Sequence, residues 1–368
     1  MADSGKSSIS AHGGDVLTAA SSTGLAPEEI LDFSASINPL GPPQGLYEHL
    51  AERLPAITRY PDPAARRLCA AIIAHYELSA DFVPGNGAAE LIFLLLRGVA
   101  PRTVLIPVPT FSLYERATLA VGSQLLYHQL PPEADFRLDR AQFCRTVRQL
   151  RPDLVFLCNP NNPTGQLLDR DEVLSIAEEI AGVGGLLVVD EAFLEFRADY
   201  QQRTLLSLAT PRNVVVLCSL TKLFAIPGLR LGFLAGPDGV VDAVRAVRDP
   251  WSVNVLAQLA GEFVLGQDGF VAKSAAAVEV LAGQLAGALA ALPRLKVHPP
   301  SVNYIFLQSL TKPSAVLLRE LLTAGVLIRD CSNFRGLDSG YVRVAVRTAA
   351  ENGRLVAALQ QAERVTTK

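Results

Sequence analysis

The sequence is short of the features that make disulfide frameworks, metal sites and membrane spans. Its five cysteines, Cys69, Cys144, Cys158, Cys218 and Cys331, include no C-x-x-C pair. An odd number of isolated thiols suits a reducing compartment, and three of them lie in apolar runs, as small core residues do. The five histidines, His12, His49, His75, His128 and His298, form no H-E-x-x-H or H-x-x-x-H pair, which argues against a metal site built by the protein. There is no basic cluster: net charge is -3 and Lys and Arg are scattered, so no face for nucleic acid or anionic membrane is expected. No run of 18 residues is free of charge and turn formers, and the N-terminal MADSGKSSISAHGGD lacks the apolar core of a signal peptide. A soluble, cytoplasmic protein with a small-molecule partner is expected.

What is present is hydrophobic: 49% of 368 residues, enough for two packed domains. Short apolar runs, VLIPV (104–108), LVFLC (154–158), GLLVVD (185–190) and VVVLCSL (214–220), alternate with segments of helical period such as 169–182. Continuous apolar strands separated by helices predict an α/β fold, its mostly parallel sheet covered on both faces. Helices are expected over 45–53, from Pro63 in its first turn to Tyr76, and over 255–292 with a break near 266–269. Strand patterns at 302–308, 325–331 and 340–346 predict a smaller α+β domain. The expected division is an N-terminal arm over 1–45 that joins the small domain and closes the site, a large domain over 46–254, and a linking helix with the small domain over 255–368.

Ligands of open parallel sheets bind at the carboxyl ends of the strands, and there the polar residues gather. NPNNPTG (159–165), DEAF (190–193), CSLTK (218–222) and PTFSLYE (109–115) each follow an apolar run. An acid at a buried strand end can hold a cationic nitrogen, a lysine in an apolar run can form an imine with a carbonyl, and Arg, hydroxyls and backbone amides can hold a phosphate. Those are the requirements of pyridoxal 5'-phosphate. The turn GNGAAE (85–90), a weak signal alone, would add helix N-terminal amides for the phosphate.

With these motifs in order, joined by 12-HGGD-15, 31-LDFSASINPLGPP-43, 59-RYPD-62, GLRLGF (228–233), 250-PWSVN-254 and 327-LIRDCSNFRGLD-338, the chain resembles the fold-type I pyridoxal-phosphate enzymes over about residues 12–360. Within them it resembles the histidinol-phosphate aminotransferase branch, and more closely the threonine-phosphate decarboxylases of cobalamin biosynthesis. The resemblance implies roles residue by residue. Lys222 is the imine-forming lysine and proton carrier, Asp190 the partner of the ring nitrogen, Asn162 the donor to the ring oxygen and Phe111 the stacked aromatic. Gly87, Ala88, Ala89, Ser219, Thr221 and Arg230 form the phosphate cup. Tyr60 reaches the phosphate of a neighbouring subunit's cofactor, which implies a homodimer with shared sites. His12, Asn38, Asn162, Arg329 and Arg343 are the substrate side, with Arg343 for a carboxylate and Arg329 for a phosphate, and Arg347 adds charge for that phosphate. Phe193 stands where many aminotransferases have a tyrosine.

The resemblance further implies decarboxylation of L-threonine O-3-phosphate to (R)-1-amino-2-propanol O-2-phosphate and carbon dioxide. The alternative is transamination of histidinol phosphate with 2-oxoglutarate, since both reactions use nearly the same residues.

Overall fold

The computed structural model describes residues 13–206 and 213–365. The described residues divide into two compact units, one within 40–162 and 166–276, the other within 13–39, 163–165 and 277–365.

The larger unit is organised by seven strands, β1 (Asp81–Gly85), β2 (Thr103–Val108), β3 (Gln124–Gln129), β4 (Leu154–Cys158), β5 (Leu186–Asp190), β6 (Val214–Ser219) and β7 (Gly232–Gly236). They lie in the order β1-β7-β6-β5-β4-β2-β3. All neighbours from β6 to β3 are parallel; β7 runs antiparallel to both β6 and β1. Every residue of β4, β6 and β7 is buried, as expected for strands covered on both faces. The helix Ala88–Val99 buries Leu91, Ile92, Leu95 and Leu96 into this core, while the helix Arg170–Gly182 starts on a capping box formed by Asp169 and Glu172.

Two expectations shift here. Pro63 does not start a helix: the helix is Arg66–Tyr76, and the Asp62 carboxylate accepts the amides of Ala64 and Arg66 at 3.2 and 2.9 Å, ending the turn before it. The helix Val255–Leu265, expected to go with the small domain, packs in the larger unit on Arg66–Tyr76 and Leu46–Arg53. Gly261 permits that approach, because a Cβ there would lie 2.4 Å from the Leu68 side chain. The division therefore falls at 276/277, inside the helix Phe270–Ala290.

The smaller unit has a four-stranded antiparallel sheet in the order Arg329–Asp330, Tyr341–Ala345, Tyr304–Ser309, Leu295–Val297. The stretch 325–331, expected as one strand, makes two pairings: Val326–Leu327 runs parallel to Leu31–Asp32, and Arg329–Asp330 pairs with Tyr341–Ala345. The core joins Phe33 from the N-terminal segment to Ile305, Leu307, Leu321, Val344 and Leu355. Among the described residues no helix is long and apolar enough to cross a membrane.

Candidate active site

At the carboxyl rim of the larger sheet the strand ends deliver the expected residues. Asp190 closes β5 with a buried carboxylate; Oδ2 accepts the Tyr114 hydroxyl at 2.6 Å and Oδ1 the Ala192 amide at 3.0 Å. Burial pushes its pKa up, against a downward pull from the Tyr114 and Ala192 hydrogen bonds and the nearby Lys222 charge. Ser219 ends β6, and Lys222 follows on the short helix Leu220–Leu223. The Lys222 Nζ lies 3.4 Å from Ser219 Oγ and 3.5 Å from Thr221 Oγ1, and 5.4 Å from the centre of the Phe193 ring, so an aromatic face rather than a phenol hydroxyl flanks the ammonium. Ser219 and Thr221 are themselves 2.9 Å apart.

The antiparallel β7 brings a third chain segment to this rim, since Gly232 is in register with both Gly85 and Ser219. Backbone-to-backbone closeness makes a cradle: a Cβ on Gly87, whose φ is +81°, would lie 2.7 Å from Arg230 Nη2, and a Cβ on Gly232 would lie 3.0 Å from the Ala88 amide nitrogen. The helix Ala88–Val99 thus opens with its amides beside a guanidinium, a setting suited to a phosphate. Arg230 holds a left-handed backbone, φ +60°, as does Ala225, φ +51°; such strain clusters where a loop is held for function.

Of the asparagines in NPNNPTG, two bind the turn together. Asn159 exchanges hydrogen bonds with Leu168, at 2.8 and 3.2 Å. Asn161 accepts the Thr110 hydroxyl at 2.7 Å and donates to the Pro109 carbonyl at 3.0 Å, tying this turn to the one that carries Phe111. Asn162 is the third, also buried.

Tyr60, also in the larger unit, is 81% exposed and stacks on Trp251, itself 46% exposed, with ring centroids 4.7 Å apart.

In the smaller unit, Arg329 and Arg343 are both buried and occupy directly opposed positions of neighbouring strands. Arg343 donates to the Ser34 carbonyl at 2.8 Å and lies over the Tyr304 ring. Arg329 donates to the Asp330 carbonyl and to Asn333 Oδ1 and lies over Phe334. Burial, with a contribution from the Arg343 charge, holds the Arg329 pKa below its ordinary value. Like charges opposed across a strand pair repel, and an anion beside them removes that cost. Asn38 is buried in the same unit. His12 lies outside the described residues.

Two flanking residues have partners within the smaller unit. Arg347 is engaged by Glu351 at 2.6 Å and the Asp32 carbonyl at 3.1 Å, so its charge has a carboxylate partner within its own unit. Asp15 caps the helix Val16–Thr23 by accepting the Thr18 amide at 3.2 Å, and Gly13 is required because a Cβ there would lie 2.2 Å from the Ser34 carbonyl oxygen.

Sequence reasoning missed Tyr114, whose buried place three residues after Phe111 was the available signal. It also missed the acids after Asp190. Glu191 accepts the Thr204 hydroxyl at 2.6 Å and the Leu205 amide at 2.9 Å, and Glu195 accepts the Tyr76 hydroxyl at 3.1 Å. Burial raises both carboxyls to about 7. Below pH 4.5 both folded and unfolded states keep these protons. Between pH 4.5 and 7 the unfolded state ionises first, so stability falls as pH rises; above 7 the full cost stands, on the order of 3 kcal/mol per group. Glu195→Gln, which keeps an acceptor for Tyr76, should therefore be more stable than wild type at pH 8 by about 1–3 kcal/mol and nearly equal to it at pH 4.5. Denaturant melts at the two pH values measure this.

Residues 28–359 match the family model for aminotransferase class I and II. The chain is 40% identical over 355 residues to threonine-phosphate decarboxylase of Salmonella typhimurium, covering 95% of this chain and 96% of the relative. The structure is similar to L-threonine-O-3-phosphate decarboxylase from Porphyromonas gingivalis (TM-score 0.79, 27% identity, 90% of this chain and 99% of that one). It is also similar to histidinol-phosphate aminotransferase from Clostridium acetobutylicum (TM-score 0.84, 26% identity, 91% and 99%).

Proposed function

Because the chain belongs to the aminotransferase class I and II family and has its fold-type I architecture, we propose that it is a pyridoxal-phosphate-dependent carboxy-lyase. Its substrate is L-threonine O-3-phosphate, and its products are (R)-1-amino-2-propanol O-2-phosphate and carbon dioxide, for the aminopropanol arm of cobalamin biosynthesis. The observation that carries this reading is the opposed pair Arg329 and Arg343. Two buried guanidiniums side by side suit an amine substrate with two anionic groups at once. Threonine phosphate has both a carboxylate and a phosphate; of the alternative's substrates, histidinol phosphate has the phosphate alone and 2-oxoglutarate has two carboxylates and no phosphate.

The rim residues fit the cofactor: a buried carboxylate for the ring nitrogen at Asp190, a lysine at Lys222, an aromatic at Phe111, a donor at Asn162. A glycine, hydroxyl and arginine cradle for the phosphate lies at Gly87, Ala88, Ala89, Ser219, Thr221 and Arg230. Bound there, the cofactor supplies the electron sink that takes up the pair left by departing carbon dioxide. Arg343 would hold the carboxylate and Arg329 the phosphate, with Asn38 on the same side. Fixing both ends of the substrate would set which bond at Cα is presented for cleavage, so binding energy remote from Cα would select loss of carbon dioxide over loss of the proton. Lys222 Nζ would then deliver a proton to Cα.

The same reading makes the protein a cytoplasmic homodimer. The five cysteines are free thiols, in line with a reducing compartment, and Tyr47, Leu54, Ile57, Tyr60 and Trp251 give the larger unit several exposed large apolar side chains, as at a covered face. Sedimentation should give twice the chain mass, and Tyr60→Ala should weaken cofactor retention by about tenfold if its hydroxyl reaches the partner's phosphate, the loss of one charge-assisted hydrogen bond.

Product analysis decides the reaction. Threonine phosphate, serine phosphate and histidinol phosphate are incubated in parallel with and without 2-oxoglutarate. Carbon dioxide released from threonine phosphate without oxoglutarate is the expected result; glutamate formed from histidinol phosphate, with no gas from threonine phosphate, would overturn the proposal.

A further inference from the structure

We propose that Tyr114 is a positioning residue for Asp190: its hydroxyl holds the buried carboxylate in the ionised form and in the orientation that a protonated ring nitrogen needs. The inference rests on the cofactor reading above and goes beyond it, since no role attaches to Tyr114 otherwise.

The phenol is fully buried and cannot turn away. Its ring stacks on Phe156 at 4.6 Å with 6° between planes, and Phe111 meets it edge-on at 5.5 Å and 90°. One hydroxyl oxygen 2.6 Å from Asp190 Oδ2, with the Ala192 amide on Oδ1, leaves each carboxylate oxygen with one donor. Burial, first, and the neighbouring Asp190 charge raise the Tyr114 pKa well above the ordinary phenol value, so the group stays neutral.

The other groups around Asp190 pull in both directions. Cys158, its cross-strand partner, gives its thiol to the Pro160 carbonyl at 3.3 Å. Burial opposes the carboxylate; the Tyr114 and Ala192 hydrogen bonds and the Lys222 charge favour it. Of the groups that favour the carboxylate, the neutral phenol at 2.6 Å counteracts burial most. It is most stabilising as a donor to an ionised oxygen, and a protonated Asp190 could no longer accept from a ring N–H. Since Tyr114 also touches Phe111, one side chain sets both the charge partner and the stacking wall.

The test uses purified holoenzyme and Tyr114→Phe, which keeps both ring contacts, with Asp190→Asn as the second edge of a cycle. The readouts are the visible absorbance of bound cofactor across pH, the cofactor dissociation constant, and kcat and KM. Tyr114→Phe should shift the absorbance transition by about one pH unit, weaken cofactor binding about tenfold and lower kcat more than KM. In the Asp190→Asn background the same change should add almost nothing. Tyr114→His, which returns a shorter N–H donor, should recover part of the loss and stands in if the phenylalanine variant does not fold. A Tyr114→Phe enzyme that titrates and binds cofactor as wild type, or whose effect is additive with Asp190→Asn, overturns the proposal. Wild-type protein that binds no pyridoxal phosphate would instead overturn the cofactor reading.

Discussion

Lys222→Ala should lower turnover by at least about 10³-fold while leaving the fold intact. The expected size follows from removing a nucleophile and a proton carrier at once, where proton transfer alone contributes about 10²–10⁴. The structure gives no reason for a stability loss. Nζ lies at the long distances of 3.4 and 3.5 Å from the Ser219 and Thr221 hydroxyls and over the Phe193 ring, and a partly buried ammonium is not a cheap group to keep. Two measurements separate the parts of the effect. Single-turnover rates report the chemistry, and the disappearance of covalently held cofactor after borohydride treatment reports the attachment point. Cofactor that stays reducible onto the Lys222→Ala chain would place the attachment elsewhere.

The second large effect is expected in the smaller unit. Arg343→Met, which keeps apolar bulk over Tyr304, should raise KM for threonine phosphate about 10²-fold or more. The lost contact is a charge-assisted one made in a buried setting, about 2–5 kcal/mol. The free protein should behave differently from the complex. Arg329 and Arg343 oppose one another in register, so removing one charge relieves a repulsion, and the melting temperature should hold or rise. Loss of substrate affinity without loss of stability is the signature of a group kept for its ligand. If KM is unchanged, or if affinity falls only because the protein melts, the arginine is structural.

The larger unit was legible because its strands are uniformly apolar and its polar residues stand where those runs stop. LVFLC, GLLVVD and VVVLCSL could be placed nearly to the residue, which gathers their polar ends at one rim; the roles of Asp190, Asn162 and Lys222 come from the family resemblance. Direction was not legible: the apolar pattern of Gly232–Gly236 is the same for either hand of pairing, and its antiparallel course came only from the structure. Tyr114 was lost among core aromatics, since a tyrosine beside Leu113 looks like packing until its hydroxyl is seen on Asp190. The opposed arginines depended on register. A single strand over 325–331 would have kept Arg329 in one continuous ladder; changing partners after Leu327 sets it against Arg343. For Arg347 the sequence shows the charge and not the Glu351 carboxylate that pairs with it.

The antiparallel strand Gly232–Gly236 has a consequence for how the protein matures. It draws together Gly85, Ser219 and Gly232, so the cradle beside Arg230 is drawn from segments about 145 positions apart in the chain. No short fragment and no early, locally ordered intermediate contains it, and contacts of such sequence separation form late. Cofactor uptake is therefore a report on completed topology: a ligand that binds only the finished sheet pulls the equilibrium toward it by mass action and cannot rescue a chain that stalls before β7 is inserted.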